Sequence, residues 1–166
     1  MLACLDVSYR DTMACAAGIT FQNWTDAKPL DEKVIEIQNV APYQPGHFYR
    51  RELPCLLAIL QKLPPIDVAI IDGYVWLDGE SRPGLGAHLY HALNAKVPVV
   101  GVAKTKFHGA DCVCEVIRGV SKRPLFITAA GVQKELAAQH VRSMHGKNRL
   151  PTLLARADYL CRHGQV

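Results

Sequence analysis

The sequence lacks the features that would direct it to a membrane or a secretory route. No stretch approaches the roughly 18 consecutive apolar residues that a transmembrane helix needs. The N-terminal segment reaches the charged Asp6 before it could form the apolar core of a signal peptide. Without such a signal, the six cysteines are expected to remain reduced and to serve as small core residues. These absences predict a cytoplasmic protein that makes no membrane contact.

Several motifs of well-known enzyme classes are also missing. There is no P-loop and no G-x-S-x-G nucleophile turn, and Gly84-Leu85-Gly86 does not extend into the G-x-G-x-x-G pattern of dinucleotide-binding folds. Cys112 and Cys114 form a single C-x-C without a second pair, which is weak evidence for zinc. Internal repeats and linker-like segments are absent too. A length of 166 residues therefore predicts one domain over 1–166, in a pattern that suits a monomer.

Acidic residues are scarce in the second half of the chain. Residues 1–95 carry 7 Lys and Arg against 11 Asp and Glu, whereas residues 96–166 carry 12 against 4. This asymmetry suits a carboxylate site that faces a polyanion, although an unevenly charged solvated surface explains the counts equally well. Candidate phosphate contacts, with dispersed solvent-exposed charge as the alternative, are Arg50, Arg51, Lys106, Lys122, Arg123, Lys147 and Arg149.

The hydrophobic pattern predicts a mixed α/β protein. Apolar runs and alternation predict strands over 2–9, 12–21, 33–40, 66–72, 97–103, 113–117 and 124–128. Helical spacing predicts helices over 48–62, 87–95, 132–143 and from Pro151 to about 163, and a loop over 73–86. Because an antiparallel meander leads into strand–helix–strand units, we expect one mixed β-sheet with antiparallel and parallel strands, flanked by helices.

Four acidic residues stand out against this pattern. Asp6 and Asp72 each follow an apolar strand segment, where a carboxylate is costly unless it is paired or bound to a cation. Glu52 lies in the first turn of a predicted helix, and Asp158 lies beside the apolar stripe of the last one. Each has an ordinary explanation alone, as a loop cap, a helix-dipole partner or a surface charge. Together they would suit Mg²⁺, which prefers carboxylate oxygens and can act in pairs in phosphoryl chemistry.

Seven short motifs give the chain a family resemblance. They are Asp6-Val7-Ser8-Tyr9, Pro42-Tyr43-Gln44-Pro45-Gly46, Arg51-Glu52-Leu53-Pro54, Ile71-Asp72-Gly73, Gly84-Leu85-Gly86-Ala87-His88-Leu89, Gly101-Val102-Ala103-Lys104, and Leu150-Pro151 with Ala157-Asp158. In this order over nearly the whole chain, they resemble the endonuclease V family. The resemblance implies an RNase H-like fold and hydrolysis of a phosphodiester near inosine, in DNA or RNA, that depends on Mg²⁺ with Mn²⁺ as a substitute.

The resemblance also implies a role for individual residues. Asp6, Glu52 and Asp72 correspond to catalytic acids that bind the metal, and Asp158 corresponds to a further metal-binding position on the last helix. Lys104 corresponds to a catalytic lysine near the scissile phosphate, where it could hold a phosphate oxygen or organise the attacking water.

Other motif residues correspond to positions that bind the nucleic acid. Tyr43 and Pro45 belong to a rigid loop that resembles the wedge entering the duplex beside the lesion. The remaining candidates for contact with the nucleic acid are Gly73, Gly84, Gly86 and His88.

The sequence departs from the family after Asp72-Gly73. Val75 and Asp78 occupy positions where the family commonly carries glycine and histidine, and a valine near the base would narrow the pocket or displace the backbone. Two alternatives to inosine cleavage therefore remain open. One is a nuclease for branched or distorted nucleic acid, and the other is a weakly active nucleic-acid-binding protein on the same fold.

Overall fold

The computed structural model describes residues 1–10, 12–42, 44, 47–79, 81–109 and 112–164. The strands are β1 (Leu2–Arg10), β2 (Met13–Phe21), β3 (Asp31–Ile37), β4 (Val68–Asp72), β5 (Trp76–Asp78), β6 (Arg82–Pro83), β7 (Val99–Ala103), β8 (Cys114–Val116) and β9 (Leu125–Ala130). The helices are α1 (Tyr49–Leu60), α2 (Leu85–Ala92), α3 (Lys134–Ser143) and α4 (Thr152–His163). The described residues thus contain every element that the hydrophobic pattern predicts.

The central sheet has seven strands in the order β3-β2-β1-β4-β7-β9-β8. Strands β1, β4 and β7 are parallel, and the flanking pairs on both sides are antiparallel. Because parallel strands end at the same edge of a sheet, the carboxyl ends of β1, β4 and β7 lie together. The predicted combination of an antiparallel meander with parallel strands is confirmed.

Helices cover both faces of this sheet. One core cluster contains the buried residues of α3 and α4, and the other contains those of α1 and α2. Side chains alternate between the two faces along β1, since Cys4 belongs to the first cluster and Leu5 to the second. A site at the sheet edge can therefore receive side chains from helices on either face.

Three sequence-based expectations need correction. The segment 73–86, expected as a loop, contains the short antiparallel pair β5–β6. The third strand covers 31–37 instead of 33–40, because its pairing with β2 ends at Ile37. Asp6 does not end its strand, since β1 stays paired with β2 as far as Arg10. The parallel pairing of β1 with β4 ends at Leu5 and Ile71. On the side that faces β4, β1 is therefore unpaired from Asp6 onward.

Four of the six cysteines behave as the sequence predicts. Cys4, Cys15, Cys55 and Cys161 are buried free thiols, whereas Cys112 is exposed. Among the helices of the described chain, none is long and apolar enough to cross a bilayer.

Gly101 on β7 lies unusually close to the segment that follows β4. A β-carbon at this position would lie 2.5 Å from the Gly73 carbonyl oxygen and 2.9 Å from both the Thr128 hydroxyl and the Val75 amide nitrogen. The Val75 amide donates to that hydroxyl at 2.8 Å, so the contact fixes the backbone beside Asp72. This chain segment can pass over β7 only because residue 101 has no side chain.

We expect Gly101→Ala to lower the free energy of unfolding by about 1–3 kcal/mol, since overpacking a rigid contact displaces backbone. Urea denaturation would measure the change. Gly18→Ala on β2 is the matched control, because its β-carbon would meet side-chain carbon atoms of Leu63 and Ile59, which can shift more easily than backbone. Equal losses in the two variants would contradict the proposed tight contact.

Candidate metal centre

Three carboxylates converge at the carboxyl edge of the parallel strands. Asp6 on β1, Asp72 at the end of β4 and Asp158 on α4 each offer an oxygen, and these oxygens all lie within 4.8 Å of one another. The register explains the first pair, because Leu5 opposite Ile71 places Asp6 level with Asp72 in the next position. Residues 152 positions apart in the chain therefore meet at one point.

The packing of α4 brings Asp158 to this point. The helix buries an apolar stripe against β1 and β2, and Asp158 follows the fully buried Ala157. Ser8 on β1 donates a hydrogen bond to the carbonyl of Cys161, and Arg10 donates one to the carbonyl of Arg162. The last turn of α4 is therefore attached to the strand that carries Asp6.

Glu52 reaches the same place from the opposite face of the sheet. It lies in the first turn of α1, is only 5% exposed, and lines a cavity of about 570 Å³ together with Asp6, Asp72 and Asp158. Its Oε2 is buried without a hydrogen-bond partner among the described residues. Burial and the charges of Asp6 and Asp72 raise the pKa of Glu52 to about 8.

Asp6 is also disfavoured as an anion. Burial, followed by the charge of Asp72, raises the pKa of Asp6 to about 7, although the Val7 amide donates to Asp6 Oδ1 at 2.8 Å. Without a cation, the protein surroundings therefore do not fully stabilise the ionised forms of Asp6 and Glu52.

Lys104 supplies part of the compensation. Its Nζ lies 2.5 Å from Asp72 Oδ2 and 3.8 Å from Asp158 Oδ1. Partial burial lowers the pKa of Lys104, but the hydrogen bond to Asp72 and the nearby carboxylates outweigh this effect and raise the pKa overall. Arg162 adds an ion pair with Asp158 at 2.9 Å.

The residues fit a divalent cation. All four acidic side chains offer hard oxygen donors, which is the ligand type of Mg²⁺ and Mn²⁺. The buried Oε2 of Glu52 has no hydrogen-bond donor in the part of the chain that the structure describes, and a cation in the cavity would supply the missing interaction. Asp6, Asp72 and Asp158 would be the nearest ligands, and Glu52 lines the same cavity.

A second, largely apolar cavity adjoins the acidic one. It has a volume of about 330 Å³ and shares Asp72 and Phe48 with the acidic cavity. Its remaining walls are Tyr49, Gly73, Tyr74, Leu77, Arg82, Pro83, Gly84, Leu85 and Phe107. Its size and aromatic lining suit a planar heterocycle held beside the carboxylates.

The candidate nucleic-acid contacts have separate locations. Gly73 and Gly84 line the apolar cavity. Gly86 instead packs against the core, where a β-carbon would lie 2.6 Å from Val75 Cγ2. His88 stacks on Tyr49 with ring centroids 3.6 Å apart. The wedge candidates Tyr43 and Pro45 lie outside the described residues.

The expectation that the Val75 side chain would narrow the pocket is wrong. The Val75 side chain is fully buried in the core cluster under α2 and does not line the apolar cavity. Asp78 is the last residue of β5, where its Oδ1 accepts hydrogen bonds from the Ser81 hydroxyl and the Arg82 amide, both at 2.7 Å. Both departures from the family pattern are therefore accommodated away from the cavity.

Sequence reasoning missed the aromatic walls of this cavity. The Tyr74 hydroxyl donates to the Thr105 carbonyl at 2.8 Å and accepts from the Phe107 amide at 2.9 Å. It thereby holds the segment after Lys104 beside the cavity. The only sequence signal was the position of Tyr74 and Phe107 shortly after Asp72 and Lys104, which does not by itself indicate a contact.

The strand order and the acidic edge define an RNase H-like fold, and solved structures support this class. The crystal structure of endonuclease V from Streptomyces avermitilis has a TM-score of 0.77 and 26% identity, and the match covers 98% of this chain and 80% of that chain. The fold is also shared by Ciona intestinalis endonuclease V, solved in complex with a 24mer DNA containing an inosine followed by a ribo-adenosine. There the TM-score is 0.82 at 19% identity, over 98% of this chain and 84% of that chain.

Sequence comparisons give the family. The family model described as Endonuclease V matches residues 1–117. The endonuclease V of Streptomyces avermitilis is 32% identical over 95% of this chain and 77% of its own length. The endonuclease V of Ignicoccus hospitalis is 29% identical over 95% of this chain and 79% of its own length. The chain belongs to the endonuclease V family of nucleases, which confirms the resemblance seen in the motifs.

We expect the chelator-treated protein to lose stability as pH rises from about 4.5 to about 8. The unfolded chain ionises Glu52 near its ordinary pKa of 4.5, whereas the folded protein retains the proton until its pKa of about 8. At about 1.36 kcal/mol per pKa unit, the loss from Glu52 should be on the order of 5 kcal/mol. Urea denaturation across this pH range measures it.

Glu52→Gln should remove the part of this pH dependence that Glu52 contributes and leave the part from Asp6, whose pKa burial and the charge of Asp72 raise to about 7. Glu115→Gln, at an exposed site, should leave the whole dependence unchanged. Addition of Mg²⁺ at pH 8 should restore stability to the parent protein more than to Glu52→Gln. A pH-independent stability in the parent protein would contradict the strained carboxylate cluster.

Proposed function

We propose that the protein is a metal-dependent endonuclease that hydrolyses a phosphodiester bond near inosine in DNA or RNA. The observation that carries this proposal is the convergence of Asp6, Asp72 and Asp158 within 4.8 Å beside a cavity that could hold a base. Family membership supports the same reaction class. The acidic cavity would receive the phosphodiester, and the apolar cavity would receive the heterocycle.

Mg²⁺, or Mn²⁺ in its place, is the proposed cofactor. When bound, a divalent cation lowers the pKa of water and polarises the phosphate. Asp6, Glu52, Asp72 and Asp158 would hold it. Their own charge would repel a phosphodiester, and this explains why the acidic cavity needs a cation before it can accept nucleic acid.

Lys104 is the proposed phosphate-binding group of the protein itself. Its ammonium is already held by Asp72 and points into the carboxylate cluster, so it can donate to a non-bridging phosphoryl oxygen without a large rearrangement. As water bonds to phosphorus and the ester P–O bond breaks, negative charge grows on these oxygens. The ammonium group of Lys104, fixed at this point, stabilises the transition state more than the bound substrate.

The apolar cavity is the proposed base site. Gly73 and Gly84 line this cavity without side chains, so a hypoxanthine base can approach the backbone closely, while Phe48 and Phe107 provide apolar surface. A base can enter only after leaving its stack, which costs a few kcal/mol and is easiest at a weakened pair. Tyr43 and Pro45 remain the proposed wedge.

The test uses matched oligonucleotides that contain inosine, a flap or neither, as DNA and as RNA, with Mg²⁺ or Mn²⁺. We expect cuts that depend on inosine and disappear in Asp72→Asn, which loses the ligand charge but keeps the side-chain shape. Cuts on flaps alone would indicate a nuclease for branched substrates. Tight binding without cuts would indicate a binding protein and would overturn the proposal.

We expect Lys104→Met to lower the cleavage rate by about 10²–10³-fold, the loss typical of removing one group that stabilises transition-state charge. Single-turnover kinetics on the inosine substrate would measure it. Lys96→Met is the matched control, because Lys96 is an exposed lysine that precedes β7, whereas Lys104 follows β7. Similar losses in the two variants would contradict a specific role for Lys104.

A further inference from the structure

Two basic loops lie at the same sheet edge as Lys104. The first covers residues 117–124 between β8 and β9, and the second covers residues 144–149 between α3 and α4. Strand β9 is antiparallel to β7 and pairs Phe126 with Ala103, so its first residues lie beside the end of β7. The first loop therefore approaches the sheet where Lys104 leaves it.

Arg118 connects the two loops through hydrogen bonds. It is only 5% exposed, and its guanidinium donates to backbone carbonyls, with no carboxylate partner among the residues that the structure describes. The acceptors are the carbonyls of Arg142 at 3.4 Å, Asn148 at 3.1 Å, Arg149 at 3.3 Å, Gly146 at 3.4 Å, and Met144. A second link is the Val120 amide, which donates to the Lys147 carbonyl at 3.3 Å. The loops consequently form one surface.

Arg149 connects this surface to the candidate metal centre. Its Nη2 donates to the carbonyl of Lys104 and, at 2.6 Å, to the carbonyl of Pro124. One guanidinium therefore contacts the residue beside the carboxylate cluster and the end of the first loop. The basic surface therefore directly contacts the segment that carries Lys104.

The surface has an excess of uncompensated positive charge. Residues 117–149 contain seven Lys and Arg but only one acidic residue, Glu135. The exposed members within the loops are Lys122, Arg123 and Lys147. Within the described residues, no carboxylate lies within 4.0 Å of their charged groups. Ordinary solvated charge would not require a buried arginine to hold the two segments in register.

We propose that loops 117–124 and 144–149 bind the sugar–phosphate backbone of the nucleic acid where it flanks the cleavage site, with Lys122 and Lys147 as phosphate contacts. This inference rests on the proposed function, because the phosphodiester at Lys104 sets the direction in which the strand continues. Contacts of this kind carry no sequence information and fix the position of the strand. Arg118 and Arg149 are positioning residues, since they act through the loop backbone.

The test compares the double variant Lys122→Ala/Lys147→Ala with Lys62→Ala/Lys96→Ala. The control pair removes two exposed lysines that precede β4 and β7, at the opposite edge of the sheet. Binding of a labelled duplex without inosine is measured with Mg²⁺ present by fluorescence anisotropy at several concentrations of monovalent salt. The test thus requires neither cleavage nor base recognition, and melting temperatures check that all variants are folded.

We expect the slope of log Kd against log salt to fall by about 1.8 in the loop variant, since each lost phosphate contact changes it by about 0.9 on duplex DNA. The control pair should change it little. On inosine substrates, the loop variant should lose affinity for long flanks but not for a flank truncated near the cleavage site. Equal slopes in loop and control variants would overturn the proposal that the two loops bind the sugar–phosphate backbone, even if inosine cleavage persists. A changed slope without any cleavage would overturn the proposed function alone.

Discussion

Repulsion among carboxylates at one sheet edge is the constraint on which the site depends. Asp6 and Asp72 lie level on neighbouring parallel strands, and Asp158 approaches to within the same 4.8 Å sphere. Glu52 lies nearby, and its pKa is raised to about 8 first by burial and then by the charges of Asp6 and Asp72. A fold retains such a cluster only when its core packing is strong enough to hold the groups together.

That packing comes from both faces of the sheet. Helix α4 covers one face and carries Asp158, whereas α1 covers the other and carries Glu52. The acids therefore approach the edge from opposite sides and leave a cavity between them. Because the supporting helices bury their own apolar stripes, a change of protonation or ligand at the edge need not alter the core.

Close backbone contacts shape the rest of the edge. Gly101 lets the segment after Asp72 cross β7, and the Tyr74 hydroxyl then holds the segment after Lys104 against it. The apolar cavity is the space between these two segments and α1. On the other flank, Arg118 arranges two basic loops through backbone carbonyls alone. Cavity and loops thus share one support, the carboxyl ends of the parallel strands.

Sequence by itself determined the order of elements, the class of sheet and the four acids, because hydrophobic periodicity and short motifs are local signals. It misplaced the bounds of β3 and missed the β5–β6 pair, since strand pairing depends on distant partners. Tertiary structure alone decided that Val75 points into the core, that Tyr74 and Phe107 form a cavity wall, and that Arg118 joins two loops. Side-chain direction and contacts between remote segments follow from packing, and no single stretch of sequence encodes them.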